Sequence, residues 1–159
     1  MRRKKGKKTR GHAGDICATD SHGEPMLKVV TFELKRGYNR LTPIDLVDQL
    51  NPPGKKALKG SYTGWLRQAG LAASAAGTPF WVLVHRRDKH KAMVIFDMRL
   101  LDLLVDHLGC KFDRPGFSVL VRDRGAKLDL VGMTEEAFFS GADPGDFRLL
   151  ARRLRKGKR

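Results

Sequence analysis

The sequence predicts a single mixed α/β domain with one central β-sheet flanked by helices. Three observations carry that expectation. Residues 80–85 (FWVLVH) and 92–96 (AMVIF) are continuous apolar runs of strand length, the kind a strand covered on both faces requires. Strand and helix patterns succeed one another in the order β-β-α-α-β-β-α-β-β-α, with no internal repeat. A chain of 159 residues, 41% of them hydrophobic, is also long enough to fill one packed core.

The elements follow in order. Residues 15–20 (DICATD) are rich in strand formers, SHGEP supplies turn chemistry, and residues 27–35 (LKVVTFELK) read as a second strand, so a β-hairpin is expected. Alternation places Val30, Phe32 and Leu34 on its core face, with Val29, Thr31, Glu33 and Lys35 on the other. In residues 42–50 Thr42 is a helix N-cap, Pro43 takes the first helical position and Asp45 lies in the first turn. That helix stops at NPPG, and the basic loop GKKALKG leads to an alanine-rich helix over residues 62–76, whose small residues suit close packing on the sheet. The two apolar strands pair across the RRDKHK loop. Residues 98–109 carry Leu100, Leu101, Leu104, Val105 and Leu108 at helical spacing, with Gly109 as the C-cap. Residues 117–122 and 128–132 form a second hairpin around DRGAK. A short helix capped by Thr134 and a basic amphipathic helix over 146–159 close the chain.

Charge is distributed unevenly. Lys and Arg number 32 against 17 Asp and Glu, for a net +15. Residues 1–10 hold seven bases and residues 151–159 six, with no acid in either, so the middle of the chain carries only +2. A basic N-terminal arm (1–10) and a basic C-terminal tail (151–159) thus flank a nearly balanced domain (11–150), which points to a polyanionic partner and phosphate attraction. No apolar run approaches the ~18 residues that span a bilayer. The basic start is followed by GHAGD and no apolar signal region, so a soluble cytoplasmic protein with no membrane partner is expected. Cys17 and Cys110 stand apart without metal-ligand spacing and read as reduced thiols.

One constellation carries chemistry. Glu33 and Lys35 share one side of a strand, and the expected hairpin would bring Asp15 across to Glu33. Two carboxylates beside an ammonium suit a hard divalent cation such as Mg²⁺, which takes oxygen ligands and keeps waters for the substrate. The ammonium can orient the attacking water or stabilise charge on a phosphoryl oxygen. Lys35 is the only lysine in the chain with an acid two residues before it.

Gly14-Asp15, followed 18 residues after the aspartate by Glu33-Leu34-Lys35, with a helix and an apolar strand to follow, resembles the PD-(D/E)xK nuclease superfamily over roughly residues 11–96. That superfamily includes restriction enzymes, Holliday-junction resolvases and repair nucleases. Gly14 stands where the family has proline. The resemblance implies a restriction-endonuclease-like sheet, with Asp15, Glu33 and the Leu34 carbonyl as ligands of Mg²⁺ or Mn²⁺ and Lys35 as the catalytic lysine. It further implies a metal-dependent DNA endonuclease. The small size suggests a homodimer acting on duplex or branched DNA such as a Holliday junction, and the alternative is a non-catalytic nucleic-acid-binding protein on the same scaffold.

Arg10, Arg36, Arg40, Lys55, Lys56 and Lys59 would line the approach of a phosphate backbone. His85, Asp88 and His90 are expected in a solvent-exposed turn touching phosphate, because three bases are interleaved with them. Trp65 and Trp81 read as core. Gln49, on the helix after the triplet, occupies a place where some relatives carry glutamine.

Overall fold

The computed structural model of the chain describes residues 14–50, 61–112, 118–123 and 128–156. The whole basic N-terminal arm, the last three residues of the C-terminal tail, the NPPG stop with the GKKALKG loop and most of the DRGAK turn lie outside them. The described residues form a five-stranded mixed sheet with helices on both faces. The elements are α1 (Glu24–Leu27), β1 (Val30–Arg36), α2 (Pro43–Leu50), α3 (Ser61–Ala76), β2 (Phe80–Arg86), β3 (Met93–Asp97), α4 (Met98–Leu108), β4 (Ser118–Asp123), β5 (Leu128–Thr134), α5 (Glu135–Gly141) and α6 (Pro144–Lys156).

The strands lie in the order β1-β2-β3-β5-β4. β1 pairs with β2 in parallel and every other pair is antiparallel. A parallel pair needs a crossover, and α2 and α3 supply it, with α3 packed across both β1 and β2. β1 is therefore an edge strand, placed beside the apolar β2 with α3 over one face. The β2–β3 and β4–β5 pairings are those the sequence predicts.

Period-two alternation divides the core. On one face Val30, Phe32, Val82, Val84, Val94 and Phe96 meet Leu100 and Leu104 of α4, Phe138 of α5, and Phe147 and Leu150 of α6. On the other, Leu83, Met93, Ile95 and Leu130 meet Leu46 and Leu50 of α2 and Tyr62, Trp65 and Leu66 of α3. Caps fix the helix starts as read from the sequence. Asp45 Oδ2 accepts from the Thr42 amide and hydroxyl, both at 2.6 Å, and those bonds hold its carboxyl below the usual carboxylate range. Thr134 Oγ1 accepts from Ala137 N at 3.2 Å, and Gly109 closes α4 at φ 71°.

The first hairpin is a correction. Residues 16–20 form no strand, and the segment expected to turn becomes the one-turn helix α1. Asp20 Oδ1 accepts from His22 N at 2.8 Å and Gly23 N at 3.2 Å, and Pro25 sits in the first turn of that helix. Gly23 has φ −78°, so the left-handed conformation of a tight hairpin is not used. The expected basic C-terminal helix is present, and residues 151–156 of the basic tail continue α6.

Leu83→Ala, in a fully buried site on the α2/α3 face, is expected to cost about 2–5 kcal/mol in urea unfolding with the slope preserved. A loss below ~1 kcal/mol would mean that this face is not packed as described.

Candidate active site

A free strand edge leaves backbone donors and acceptors without partners. On β1 two of them are taken by Asp15. Its amide donates to Phe32 O at 2.8 Å, and its Oδ2 accepts from Leu34 N at 2.8 Å. The first acid therefore reaches the strand by docking on its open edge, with no hairpin. Gly14 permits the approach: it has φ +115°, and a Cβ there would lie 2.8 Å from Thr31 Cγ2 and 3.0 Å from Phe32 O. No room exists for a larger residue at the place where the resemblance expects proline.

Leu34 N belongs to the peptide that joins Glu33 to Leu34, so the Asp15 carboxylate sits on the peptide that carries Glu33. Glu33 and Lys35 are on the α3 side of the sheet, in register with Leu83 and His85. Expected burial is reversed here. Glu33 is 4% exposed, being covered by α3, whereas Leu34, expected in the core, is 43% exposed because the opposite helix layer does not reach the end of this edge strand.

A buried carboxylate needs a partner, and Lys35 Nζ provides one at 2.5 Å from Glu33 Oε1. The same ammonium donates to Gln68 Oε1 on α3 at 3.1 Å. Gln68 was not legible as a site residue; the only signal is a long polar side chain three residues after Trp65 in a helix otherwise rich in alanine and glycine. Gln49 has a different task, since its Oε1 accepts from Tyr62 N at 2.9 Å and satisfies an amide in the first turn of α3.

The donor set suits a hard cation. Among the described residues no three His, Cys, Asp or Glu side chains gather as a metal centre, so an ion here would rest on the Asp15 and Glu33 carboxylates, the Leu34 carbonyl and water. Mg²⁺ is ordinarily held by one or two carboxylates plus waters and substrate oxygens, and these residues fit that requirement.

The turn after Lys35 is pinned from below. His85 is a second correction: it lies in β2, 3% exposed, and not in a solvated turn. Its Nε2 lies 3.2 Å from Gly37 O, a pure acceptor, so Nε2 carries the hydrogen and Nδ1 accepts from the Tyr62 hydroxyl at 2.9 Å. Burial pushes the His85 pKa below its ordinary value, with Arg87 acting in the same direction and the bond to Gly37 opposing them. Burial likewise pushes the Tyr62 hydroxyl well up. Asp88, from the same expected cluster, bonds Asn39, and His90 is exposed.

Of the expected phosphate contacts, Arg36 and Arg40 are exposed, and Arg10, Lys55, Lys56 and Lys59 lie outside the described residues. Arg36 is in register with the exposed Arg86, so two arginines neighbour each other at the end of the β1–β2 pair, on the sheet face opposite Lys35. Trp65 is core, with edge contacts to Tyr62 and Tyr38.

Gly14→Ala should release Asp15 from β1, seen as faster hydrogen exchange at Leu34 N with β2–β3 amides unaffected; unchanged protection at Leu34 would contradict the docking. Because folded His85 resists protonation, its contribution is complete above the unfolded pKa near 6.5 and declines as pH falls from there toward the lower folded value. Wild-type protein should lose unfolding free energy between pH 7 and pH 5 more steeply than His85→Gln. Parallel slopes would remove His85 from that account.

Comparison of the chain with protein families, curated proteins and solved structures finds no match in any of the three.

Proposed function

We propose that the chain is a Mg²⁺-dependent endonuclease of the PD-(D/E)xK kind, with a restriction-endonuclease-like sheet, that hydrolyses phosphodiester bonds in DNA. The observation that carries this reading is the placement of Asp15 and Glu33 about a single peptide of an edge strand, with Lys35 held against Glu33. Asp15 and the Glu33–Leu34 peptide lie at the outer edge of the sheet, where a polymer that cannot enter a closed pocket can approach, with Glu33 and Lys35 just inside under α3. The exposed Arg36, Arg40 and Arg86, at the end of the β1–β2 pair and in the turn that follows, offer contacts to flanking phosphates, and +15 net charge draws the polyanion in.

Asp15, Glu33 and the Leu34 carbonyl would hold the cation. Bound there, a divalent ion would lower the pKa of a coordinated water and offset charge on the phosphoryl oxygens. Lys35 supplies a fixed positive charge beside Glu33 and can donate a hydrogen bond to a water or a phosphoryl oxygen that comes between them. Gln68 keeps that ammonium aimed along the α3 face by accepting one of its hydrogens. The same reading favours a branched substrate and a homodimeric enzyme.

Supercoiled plasmid and a four-way junction, incubated with protein and Mg²⁺, Mn²⁺ or EDTA, should be cut only with metal. Glu33→Ala and Lys35→Ala should each lower the rate on the order of 10²-fold or more while DNA binding persists. Intact DNA in every lane, with binding retained, would assign the protein to non-catalytic nucleic-acid binding.

A further inference from the structure

The turn that follows Lys35 has a backbone at odds with its side chain. Tyr38 adopts φ 55°, in the left-handed region where bulky residues are outliers, directly after Gly37 at φ 84°. Four bonds from neighbouring residues hold this conformation. Gly37 N donates to Arg86 O at 3.0 Å, and the His85 ring donates to Gly37 O at 3.2 Å. Asn39 and Asp88 exchange two more, Nδ2 to Oδ2 at 2.9 Å and Asp88 N to Asn39 Oδ1 at 2.8 Å. Strain held this firmly is characteristic of functional positions.

The fold gains little burial from the tyrosine. The residue is 55% exposed, and its ring is steadied by an edge contact with Trp65 whose ring centroid lies 4.7 Å away. Glycine or asparagine would suit the backbone better. An aromatic ring is thus fixed in solvent three residues beyond Lys35, between the exposed Arg36 and Arg40. A ring of that kind can stack on the π-face of a nucleobase, and the arginines that flank it in sequence can donate to phosphates of the adjoining backbone.

Resting on the nuclease reading, we propose that Tyr38 is a stacking platform for an unpaired nucleobase beside the cleaved phosphodiester, so that the substrate class is DNA with a splayed or single-stranded nucleotide. Bases inside an intact duplex present only their edges and cannot stack on it.

The test uses the full chain and a fluorescein-labelled flapped duplex in EDTA, with 2-aminopurine at the unpaired positions in a parallel set. Tyr38→Ala and Tyr38→Asn should weaken flap binding by about fivefold to 150-fold, more than they weaken binding of intact duplex, and should relieve 2-aminopurine quenching. Tyr38→Phe should restore both relative to alanine. Asparagine tolerates the backbone, so its thermal unfolding midpoint should stay near wild type and separate lost stacking from lost folding. Equal affinity and quenching in wild type and Tyr38→Ala, or an equal loss on intact duplex, would overturn the platform. Tyr38-dependent quenching without metal-dependent cleavage would overturn hydrolysis and support the platform; cleavage abolished by Glu33→Ala but quenching indifferent to Tyr38 would do the reverse.

Discussion

Phe32 O and Leu34 N lie on the open side of an edge strand, and the account depends on the fact that Asp15 bonds both. The outermost strand of a sheet must hide or occupy such groups, because they otherwise pair with whatever strand arrives. Here a single residue occupies them. The same two bonds that satisfy this part of the edge set a carboxylate against the peptide between Glu33 and Leu34. Gly14 is the condition for it, since any side chain at that position would meet Thr31 and the Phe32 carbonyl.

The second constraint is electrostatic. Parallel pairing with β2 and the cover of α3 bury Glu33, and a carboxylate removed from water needs compensation. Lys35 lies two residues on, hence on the same face, and Gln68 accepts another of its hydrogens. Fold and proposed chemistry therefore use one set of contacts: what makes the buried charge tolerable also gathers an acid, an ammonium and an amide at the strand's end. Beyond it, Arg36 and Arg86 are partners in register, so two like charges share the end of the β1–β2 pair, where an anionic polymer would be a natural counter-ion.

Much of the fold was legible because local signals agreed with tertiary demand. The apolar runs of β2 and β3, the heptad-like leucines of α4 and the caps at Thr42, Gly109 and Thr134 each state one answer. The SHGEP segment differs from its expectation because serine, glycine and proline, here following Asp20, suit both a hairpin turn and a helix start, and only the neighbouring packing decides. Leu34 and Glu33 exchanged expected environments since burial at a strand end depends on how far each helix layer extends, which alternation does not encode. His85 looked solvated beside its bases, yet its register opposite Lys35 puts it under Tyr62 and Trp65. Gln68 is 33 residues from Lys35, and nothing local marks a pair so distant.

The central claim is that Asp15, Glu33 and the Leu34 carbonyl form one oxygen-donor site. Its most direct test is an anomalous difference map from crystals of the full chain soaked in Mn²⁺. The account requires a peak coordinated by those three groups with Lys35 alongside. A Mn²⁺ peak elsewhere on the molecule, or none with the two carboxylates turned apart, would contradict it.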